Sequence, residues 1–237
     1  MFDVKLIQKY EIKRENSLQL LEKELYDEIF YNLTDLIKFK PKNALIIDTK
    51  TNYLSKKCDE ANIENVIYNN YSIYEGNIMN IDKTFHLVFS INNMHKINNI
   101  RQYLIQIYNK MNEGAVFFGS FLGNDNLIEL SQAFFESYMQ NGNDFINHFL
   151  PIIDIKMAGS LIQSCGFKSI VTCIEKKSIK YDSIFEALHE IRKIGESNCM
   201  VKKIHTPITK SIISMADEIF KKHNKVTYSI ISVFAVK

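Results

Sequence analysis

The sequence contains few of the residues that interrupt a chain, with eight glycines and three prolines among 237 residues. No long flexible linker is therefore expected to divide the chain. The hydrophobic content of 46% is enough for a full core. We predict one domain of ordinary large size, or one such domain with a small cap.

The sequence also lacks cysteine pairs. The four cysteines, Cys58, Cys165, Cys173 and Cys199, form no CxxC pair and no framework of short spacings. This pattern is typical of reduced and mostly buried thiols. The cysteines therefore indicate a cytoplasmic protein.

Long apolar runs and a charge excess of one sign are absent as well. No run approaches the roughly 18 apolar residues that span a bilayer, and the N-terminus has no long apolar signal segment. The net charge is only +2, and the basic residues are spread among acidic ones. The sequence therefore predicts neither a membrane span nor a nucleic-acid partner.

Short apolar runs alternate with helical patterns in the first half of the chain. Runs of this length are typical of strands buried on both faces. They cover residues 44–47, 66–68, 87–90 and 115–118. Between the last two, Ile100, Leu104 and Ile107 recur at helical spacing. Strands that alternate with helices favour parallel crossovers, so the predicted fold class is α/β with a doubly wound, mostly parallel sheet.

The chain before these strands is predicted to be a helical flank over residues 1–40. Apolar residues three or four positions apart indicate a helix over 18–36, which ends before Pro41. A second helical region, an inserted cap over about 123–165, follows the fourth predicted strand. A cap at this place would lie over the carboxyl edge of the sheet.

The second half of the chain is predicted to be richer in helix. One helix stops at Gly166, which suits a left-handed position after a helix, and Thr206-Pro207 offers an N-cap with proline at the first helical position. The predicted elements are helices over 127–138, over 157–165 and from 206 onwards, and strands over 169–174 and 228–236.

The turn after the first predicted strand contains no glycine. Residues 44–47 lead into Asp48, Lys50 and Asn52 and then into a helix start. Such a turn at the head of an α/β domain is where these folds bind nucleotide or anionic ligands, and glycine lets the backbone approach the ligand. The place of a cofactor loop is thus present, but side chains fill it.

Several short motifs resemble those of a known family. They are Phe85-His86-Leu87-Val88-Phe89-Ser90 followed by His95, the run Asn126 to Leu130 after Gly119 to Gly123, then His148 to Pro151, Gly166-Phe167 and Gly195-Glu196-Ser197-Asn198. With the order of elements, they resemble class I S-adenosylmethionine-dependent methyltransferases. The narrower resemblance is to the group of complex I assembly factor 5, itself similar to malonyl-acyl-carrier-protein methyltransferases. It implies a Rossmann-like methyltransferase domain over 41–237 with an antiparallel last strand.

The resemblance places the family's cofactor-binding positions on residues of other types. The three loop glycines fall on Asp48, Lys50 and Asn52, the acid of the first strand on Ile46, the ribose-binding acid on Asn70 or Asn69, and the acid that opens the fourth strand on His86. A left-handed backbone costs a general L-residue roughly 1–2 kcal/mol. An amide also lacks the charge-assisted hydrogen bonds of a carboxylate. The resemblance therefore implies S-adenosylmethionine as cofactor, bound weakly or not at all at a degenerate site.

Two histidines are predicted to line a substrate cleft. His95 follows the strand that ends at Ser90, and His148 lies in the predicted cap. A histidine at such a place is more often a hydrogen-bonded structural group than a catalytic one. No two-histidine-one-carboxylate spacing and no nucleophile set is found, so we predict neither metal ligands nor catalytic residues.

Three functions stay open from the sequence. The first is a protein of the complex I assembly type with a degenerate cofactor site, which binds or acts on a partner protein, either a complex I subunit or an acyl carrier protein. The second is an active methyltransferase on a carrier-borne or protein substrate, in which alignment of the methyl group supplies most of the catalysis. The third is a protein arginine hydroxylase, as the family relatives imply.

Overall fold

The computed structural model describes residues 2–13, 37, 39–47, 53–78, 81–201 and 208–237. The predicted helix over 18–36, the turn residues 48–52 and the Thr206-Pro207 pair lie outside these residues.

The described residues form helices and strands in alternation. The helices are α1 (Val4–Lys13), α2 (Tyr53–Glu60), α3 (Ile100–Asn109), α4 (Ile128–Gln140), α5 (Ile155–Ser164), α6 (Ile184–Lys193) and α7 (Lys210–Phe220). The strands are β1 (Asn43–Ile47), β2 (Glu64–Ile67), β3 (Phe85–Ser90), β4 (Met111–Leu122), β5 (Lys168–Lys180) and β6 (Lys225–Val236). Two short 3₁₀ helices, Tyr71–Glu75 and Met94–Lys96, follow β2 and β3.

The strands form one sheet in the order β2-β1-β3-β4-β6-β5. β1 pairs in parallel with β2 and with β3, and β3 pairs in parallel with β4. β6 runs antiparallel to β4, because Gly114 N–H donates to the Lys237 carbonyl and Gly123 N–H donates to the Ser229 carbonyl. The predicted fold class, a mostly parallel α/β sheet with an antiparallel last strand, is confirmed.

This strand order creates a topological switch point. β2 and β3 lie on opposite sides of β1. The connection from β1 to β2 therefore runs one way along the sheet, and the connection from β2 to β3 crosses back past β1. Ligands of open α/β sheets bind in the crevice at the carboxyl ends of the strands at such a point. The carboxyl ends of β1 and β3, at Ile47 and Ser90, therefore define the place to look for a site.

Several element boundaries differ from the predictions. β4, β5 and β6 are all longer than the apolar runs that predicted them. β5 continues mainly into exposed residues, whereas β4 continues into buried residues at its carboxyl end and β6 begins three residues earlier, at Lys225. The N-cap predicted at Thr206 is wrong for α7, which begins at Lys210. The Thr209 hydroxyl oxygen accepts a hydrogen bond from the Ile212 N–H at 3.3 Å. Both threonines have the capping chemistry, and the structure uses the second.

The chain divides into two compact units. The described residues within Asn16–Phe121, Ile153–Ile174 and Ile231–Lys237 form the unit that we call the sheet unit, and those within Met1–Glu15, Leu122–Ile152 and Glu175–Ile230 form the helical unit. β5 and β6 each contribute residues to both units. The predicted domain limits, a flank over 1–40 and a cap over 123–165, remain predictions.

The core of the sheet unit lies on both faces of β1 and β3. Every side chain from Ala44 to Ile47 is fully buried, and Val88 and Phe89 are buried beside them. Ile46, at the position of a family acid, is thus a core residue. Phe118 of β4 and Phe234 of β6 add an edge-to-face pair with ring centroids 4.7 Å apart.

The helical unit depends on two buried polar contacts. The Ser137 hydroxyl of α4 donates to the Ile212 carbonyl of α7 at 2.6 Å. Glu129, in the first turn of α4, accepts from the Thr227 N–H at 2.8 Å and from the Thr227 hydroxyl at 2.6 Å. Glu129 is almost fully buried, so both oxygens need these partners. The carboxylate therefore ties the start of α4 to β6.

Helix α5 ends at a glycine, as predicted. Gly166 has a φ of +102°, and a Cβ there would lie 3.3 Å from Cζ of the Tyr108 ring. Gly159, inside the same helix, has room for a side-chain methyl group, since a Cβ there would meet only Thr172 Cγ2 at 3.7 Å. The two glycines therefore differ in what they do for the helix.

This difference predicts opposite effects of the same substitution. Gly166→Ala should lower the free energy of unfolding by about 1–2 kcal/mol, because alanine is strained at positive φ. Gly159→Ala should raise it by about 0.5–1 kcal/mol, because alanine favours the helix. Urea unfolding followed by circular dichroism measures both. A stabilised Gly166→Ala protein would contradict the left-handed end of α5.

Candidate functional site

The carboxyl end of β3 carries a buried network of hydrogen bonds. Ser90, the last residue of β3, donates its hydroxyl hydrogen to Asn93 Oδ1 at 2.8 Å and lies 2.7 Å from the Tyr103 hydroxyl. Because the single serine hydrogen goes to Asn93, Tyr103 is the donor of the second bond. Asn93 in turn donates from Nδ2 to the Ile47 carbonyl at 3.1 Å. The network therefore links the ends of β1 and β3 across the switch point.

Tyr103 supplies this network from helix α3. Its ring is fully buried, and this burial raises the pKa of the phenol well above its ordinary value. The hydroxyl therefore stays protonated across the physiological pH range and keeps its role as donor. Helix α3 is thus held to the carboxyl end of β3.

Asn92 differs from its neighbour Asn93. Its φ of 52° lies in the left-handed region, and its N–H donates to the buried Ser120 hydroxyl oxygen, near the end of β4, at 3.0 Å. Its Oδ1 is buried and accepts no hydrogen bond from the described residues. A buried acceptor without a donor costs about 1–3 kcal/mol. Asn92 is therefore held in an unfavourable state by otherwise satisfied surroundings.

The 3₁₀ helix after β3 carries two buried basic residues. His95 is 3% exposed and Lys96 is 1% exposed. His95 lies, as the sequence indicated, directly beyond the end of β3 on the carboxyl side of the sheet. Lys96 was not predicted as a site residue. A lysine is rarely buried to this extent without a specific interaction.

Asn70 lies at the end of β2 and serves as a helix cap. Its Oδ1 accepts the Ser72 N–H at 2.9 Å, which caps the 3₁₀ helix Tyr71–Glu75. The side chain is exposed, on the same carboxyl side of the sheet as Ser90. The predicted ribose-binding position is therefore engaged in a local hydrogen bond.

His86 lies at the opposite end of β3 from Ser90. Its ring Nδ1 is 2.6 Å from Asn43 Oδ1, at the start of β1, and the His86 backbone N–H donates to the same oxygen at 3.1 Å. Because β1 and β3 are parallel, these residues mark the amino edge of the sheet. The structure does not bring His86 together with the end of β1.

His148 belongs to the helical unit and lies in an aromatic cluster. Its Nε2 is 2.8 Å from the Tyr138 hydroxyl, and its ring stacks on that of Tyr138 and tilts against Phe134. Burial lowers the pKa of His148 and raises the pKa of Tyr138, so the tyrosine donates to a neutral imidazole. This geometry makes His148 a packed, hydrogen-bonded residue.

The remaining predicted positions, Asp48, Lys50 and Asn52, lie outside the described residues. Within the residues that the structure does describe, no group of three or more histidine, cysteine or acidic side chains is arranged to hold a metal ion. Among the same residues, no helix is long and apolar enough to cross a membrane.

The chain has the fold of class I S-adenosylmethionine-dependent methyltransferases. The solved structure of a candidate methyltransferase from Bacillus halodurans matches 87% of this chain and 97% of that one, with a TM-score of 0.54 and 11% sequence identity. At this identity the likeness shows the fold alone. No profile of a protein family matches the chain.

Sequence relatives indicate a narrower group of proteins that this chain resembles. The mitochondrial arginine hydroxylase NDUFAF5 of Danio rerio is 26% identical over 186 residues, which are 78% of this chain and 52% of that protein. A candidate methyltransferase of Rickettsia prowazekii is 25% identical over 132 residues, which are 56% of this chain and 58% of that protein. The chain spans about half the length of the curated relatives it matches. The resemblance to the complex I assembly factor 5 group is confirmed.

The most connected residues of the site were not predicted from the sequence. Ser90 carried a signal, since it is the polar end of an otherwise apolar strand. Asn92 and Asn93 carried a weaker one, because asparagine tolerates the left-handed backbone that often follows a strand. Tyr103 carried none, because an aromatic residue on a helix face reads as ordinary core.

The Ser90 network predicts unequal costs for its members. Ser90→Ala should lower the free energy of unfolding by about 2–4 kcal/mol, because it leaves Asn93 Oδ1 and the Tyr103 hydroxyl without partners. Tyr103→Phe should cost about 1 kcal/mol, because Ser90 keeps its bond to Asn93. The double variant should cost less than the sum. Ser164→Ala, which removes an exposed hydroxyl, is the control, and equal losses at Ser90 and Ser164 would contradict the network.

The lowered pKa of His148 predicts how stability depends on pH. The unfolded histidine, with an ordinary pKa near 6.5, takes up a proton at higher pH than the folded one does. Stability should therefore fall as the pH drops below about 6.5 and level off below the folded pKa. The difference between the free energies of unfolding at pH 7.5 and 5.5 should shrink in His148→Gln. His189→Gln, an exposed change on α6, should leave this difference unaltered, and an equal effect of both changes would disprove the assignment.

Proposed function

We propose that this protein uses a methyltransferase fold with a degenerate cofactor site to bind or act on a partner protein in complex I assembly. The observation that carries the proposal is the end of β2, where the Asn70 Oδ1 accepts the Ser72 N–H at 2.9 Å. The resemblance places the acid that bonds the ribose hydroxyls at this position or at Asn69. Here the oxygen already has a donor, and the charge is gone.

The stretch around Asn70 offers no substitute acid. Between Ile67, the last residue of β2, and Glu75 the sequence contains no carboxylate. Glu75 is exposed at the far end of the 3₁₀ helix, one turn or more from Asn70. Charge-assisted hydrogen bonds are roughly twice as strong as neutral ones. The described residues therefore fit S-adenosylmethionine poorly on the β2 side of the switch point.

The turn after β1 supports the same proposal from the sequence. The resemblance places the loop glycines at Asp48, Lys50 and Asn52, so all three positions carry a side chain where glycine would let the backbone approach the cofactor. Ile46 adds nothing to cofactor binding, because it is a fully buried core residue. Several losses at one site support weak or absent binding better than any single loss does.

The relatives support a protein partner. The NDUFAF5 relatives are named arginine hydroxylases, and the resemblance to the complex I assembly factor 5 group implies a link to complex I. The proposed partner is therefore a complex I subunit, and an acyl carrier protein is the second choice through the similarity to malonyl-carrier methyltransferases. A cytoplasmic location remains our prediction, whereas the NDUFAF5 relatives are named as mitochondrial.

Arginine hydroxylation is a second candidate function, favoured by the names of those relatives. It would need dioxygen together with a two-electron reductant, one oxygen atom entering the arginine side chain and the other leaving as water. An active methyltransferase would instead add one methyl group to its substrate. The two products differ in mass, so one experiment on the partner separates both from simple binding.

The degenerate site predicts weak binding that can be repaired. Calorimetric titration should give a Kd for S-adenosylmethionine weaker than about 100 μM. The triple change of Asp48, Lys50 and Asn52 to glycine, combined with Asn70→Asp, should tighten it at least tenfold, about 1.4 kcal/mol. Asn109→Asp, an exposed change on α3, is the matched control for added charge. Micromolar binding by the natural sequence would disprove the degenerate site.

The partner is tested separately. The tagged protein should retain a complex I subunit at low salt, and mass spectrometry of that subunit should show whether an arginine has gained an oxygen or a residue has gained a methyl group. An unmodified but retained subunit supports binding alone. Repeated failure to retain any complex I subunit or acyl carrier protein contradicts the proposal.

A further inference from the structure

We propose that the exposed face of helix α4, with the start of the loop after it, binds a basic amphipathic segment of a partner protein. We call this face the α4 surface, and it consists of Phe135, Glu136, Met139, Asp144 and Phe145. The inference rests on the proposed function only in that it assumes a partner protein, and it names the chemistry of that partner.

The centre of the α4 surface is apolar. Helix α4 packs against α7, where the Ser137 hydroxyl donates to the Ile212 carbonyl. On the other face of α4, Phe135 is 48% exposed and Met139 is 47% exposed. They are four positions apart, so they are neighbours on the helix. The ring of Phe145, in the loop after α4, packs edge-to-face on Phe135 with centroids 5.4 Å apart. The three side chains therefore form one apolar patch.

The charge around this patch is negative. Residues 111–155 contain no lysine and no arginine, although the whole chain has 29 of these residues. Glu136 follows Phe135 and Asp144 precedes Phe145, and both carboxylates are exposed. Each phenylalanine of the patch therefore has an acidic residue beside it in the sequence.

The two acids differ from the acid at the start of the same helix. Glu129 is buried and accepts two hydrogen bonds from Thr227. Glu136 and Asp144 form no hydrogen bond or ion pair with the described residues. Their charges are therefore available to a molecule that covers the patch.

A basic amphipathic segment fits both parts of the α4 surface. An amphipathic helix presents apolar side chains three or four positions apart, and such side chains can cover Phe135 and Met139. Lysine or arginine beside them would lie near Glu136 and Asp144. Opposite charges at the rim of an interface steer association and fix the register of the partner.

Two other occupants fit the charge less well. In a symmetric contact between two copies, the same surface meets itself, so Glu136 and Asp144 would lie near like charges. An anionic membrane attracts lysine and arginine, which residues 111–155 lack. A separate basic partner is therefore the occupant that we propose.

The experiment titrates the full chain with two fluorescein-labelled helical peptides of one apolar pattern, the first of leucine and lysine and the second of leucine and glutamate. Fluorescence anisotropy at low salt should give a Kd for the lysine peptide at least about tenfold lower than that for the glutamate peptide. The net charge of the protein is +2, so its overall charge favours the opposite order. Equal binding of the two peptides, or tighter binding of the glutamate peptide, overturns the inference.

Charge reversal locates the binding on the α4 surface. Glu136→Lys combined with Asp144→Lys should weaken binding of the lysine peptide at least about tenfold. The matched control is Glu218→Lys combined with Asp82→Lys, which also reverses one exposed acid on a helix and one in a loop. It changes the net charge equally but should weaken binding less than about threefold, because these acids lie elsewhere. Equal weakening by the two double variants contradicts the proposed surface.

The apolar part is tested by Met139→Gln, which should weaken binding of the lysine peptide at least about threefold. Met157→Gln on α5, where Met157 is 68% exposed, is the control and should leave binding unchanged. Circular dichroism should show equal unfolding midpoints for both, because both side chains are exposed. Self-association of the natural protein, or its binding to vesicles of anionic lipid, overturns the inference if Met139→Gln abolishes it.

The inference and the proposed function fail in different ways. Binding of the lysine peptide that depends on Glu136 and Asp144, without recovery of any complex I subunit or acyl carrier protein, supports the inference and contradicts the proposed function. Recovery of a complex I subunit by the Glu136→Lys and Asp144→Lys variant as well as by the natural sequence, with no peptide preference, does the reverse.

Discussion

The hydrogen bond from the Asn93 side chain to the Ile47 carbonyl is the contact on which the site depends. β1 ends at Ile47, and its last carbonyl has a second weak bond, from the Ile91 N–H at 3.4 Å. Asn93 therefore closes the switch point from the β3 side, with Ser90 and Tyr103 behind it. This contact anchors the loop after β3, in which Asn92 lies directly before Asn93 and His95 two residues after it.

The two sides of the switch point differ in burial and in hydrogen bonding. On the β3 side, a buried network of hydrogen bonds joins Ser90, Asn93 and Tyr103 to the end of β1. On the β2 side, Asn70 caps a short helix from an exposed position. A protein that had lost only its affinity for the cofactor would be expected to keep the ordered β3 side, where a second molecule would bind. The proposed function predicts this contrast, because it keeps partner recognition on the β3 side and weakens the cofactor site on the β2 side.

The sequence predicted the sheet well because strands buried on both faces leave short unbroken apolar runs, as in residues 44–47 of β1 and 87–89 of β3. It predicted the ends of elements less well. Thr206 and Thr209 have equal capping chemistry, so the sequence alone does not show that α7 uses Thr209 as its N-cap. His86 was assigned to the cofactor site from a family position. The residues around it do not show whether it lies at the same edge of the sheet as the end of β1. Of the adjacent Asn92 and Asn93, hydrogen bonds in space alone distinguish the anchored one.

The sheet order has a consequence for folding. β6 follows β5 in the sequence but lies between β4 and β5 in the sheet. Until residues 225–236 are paired, β4 lacks its neighbour on one side and β5 has no strand beside it among the described residues. Exposed strand edges of this kind invite pairing with other chains. Pairing of β6 therefore closes two edges at once, and any folding intermediate without it exposes both.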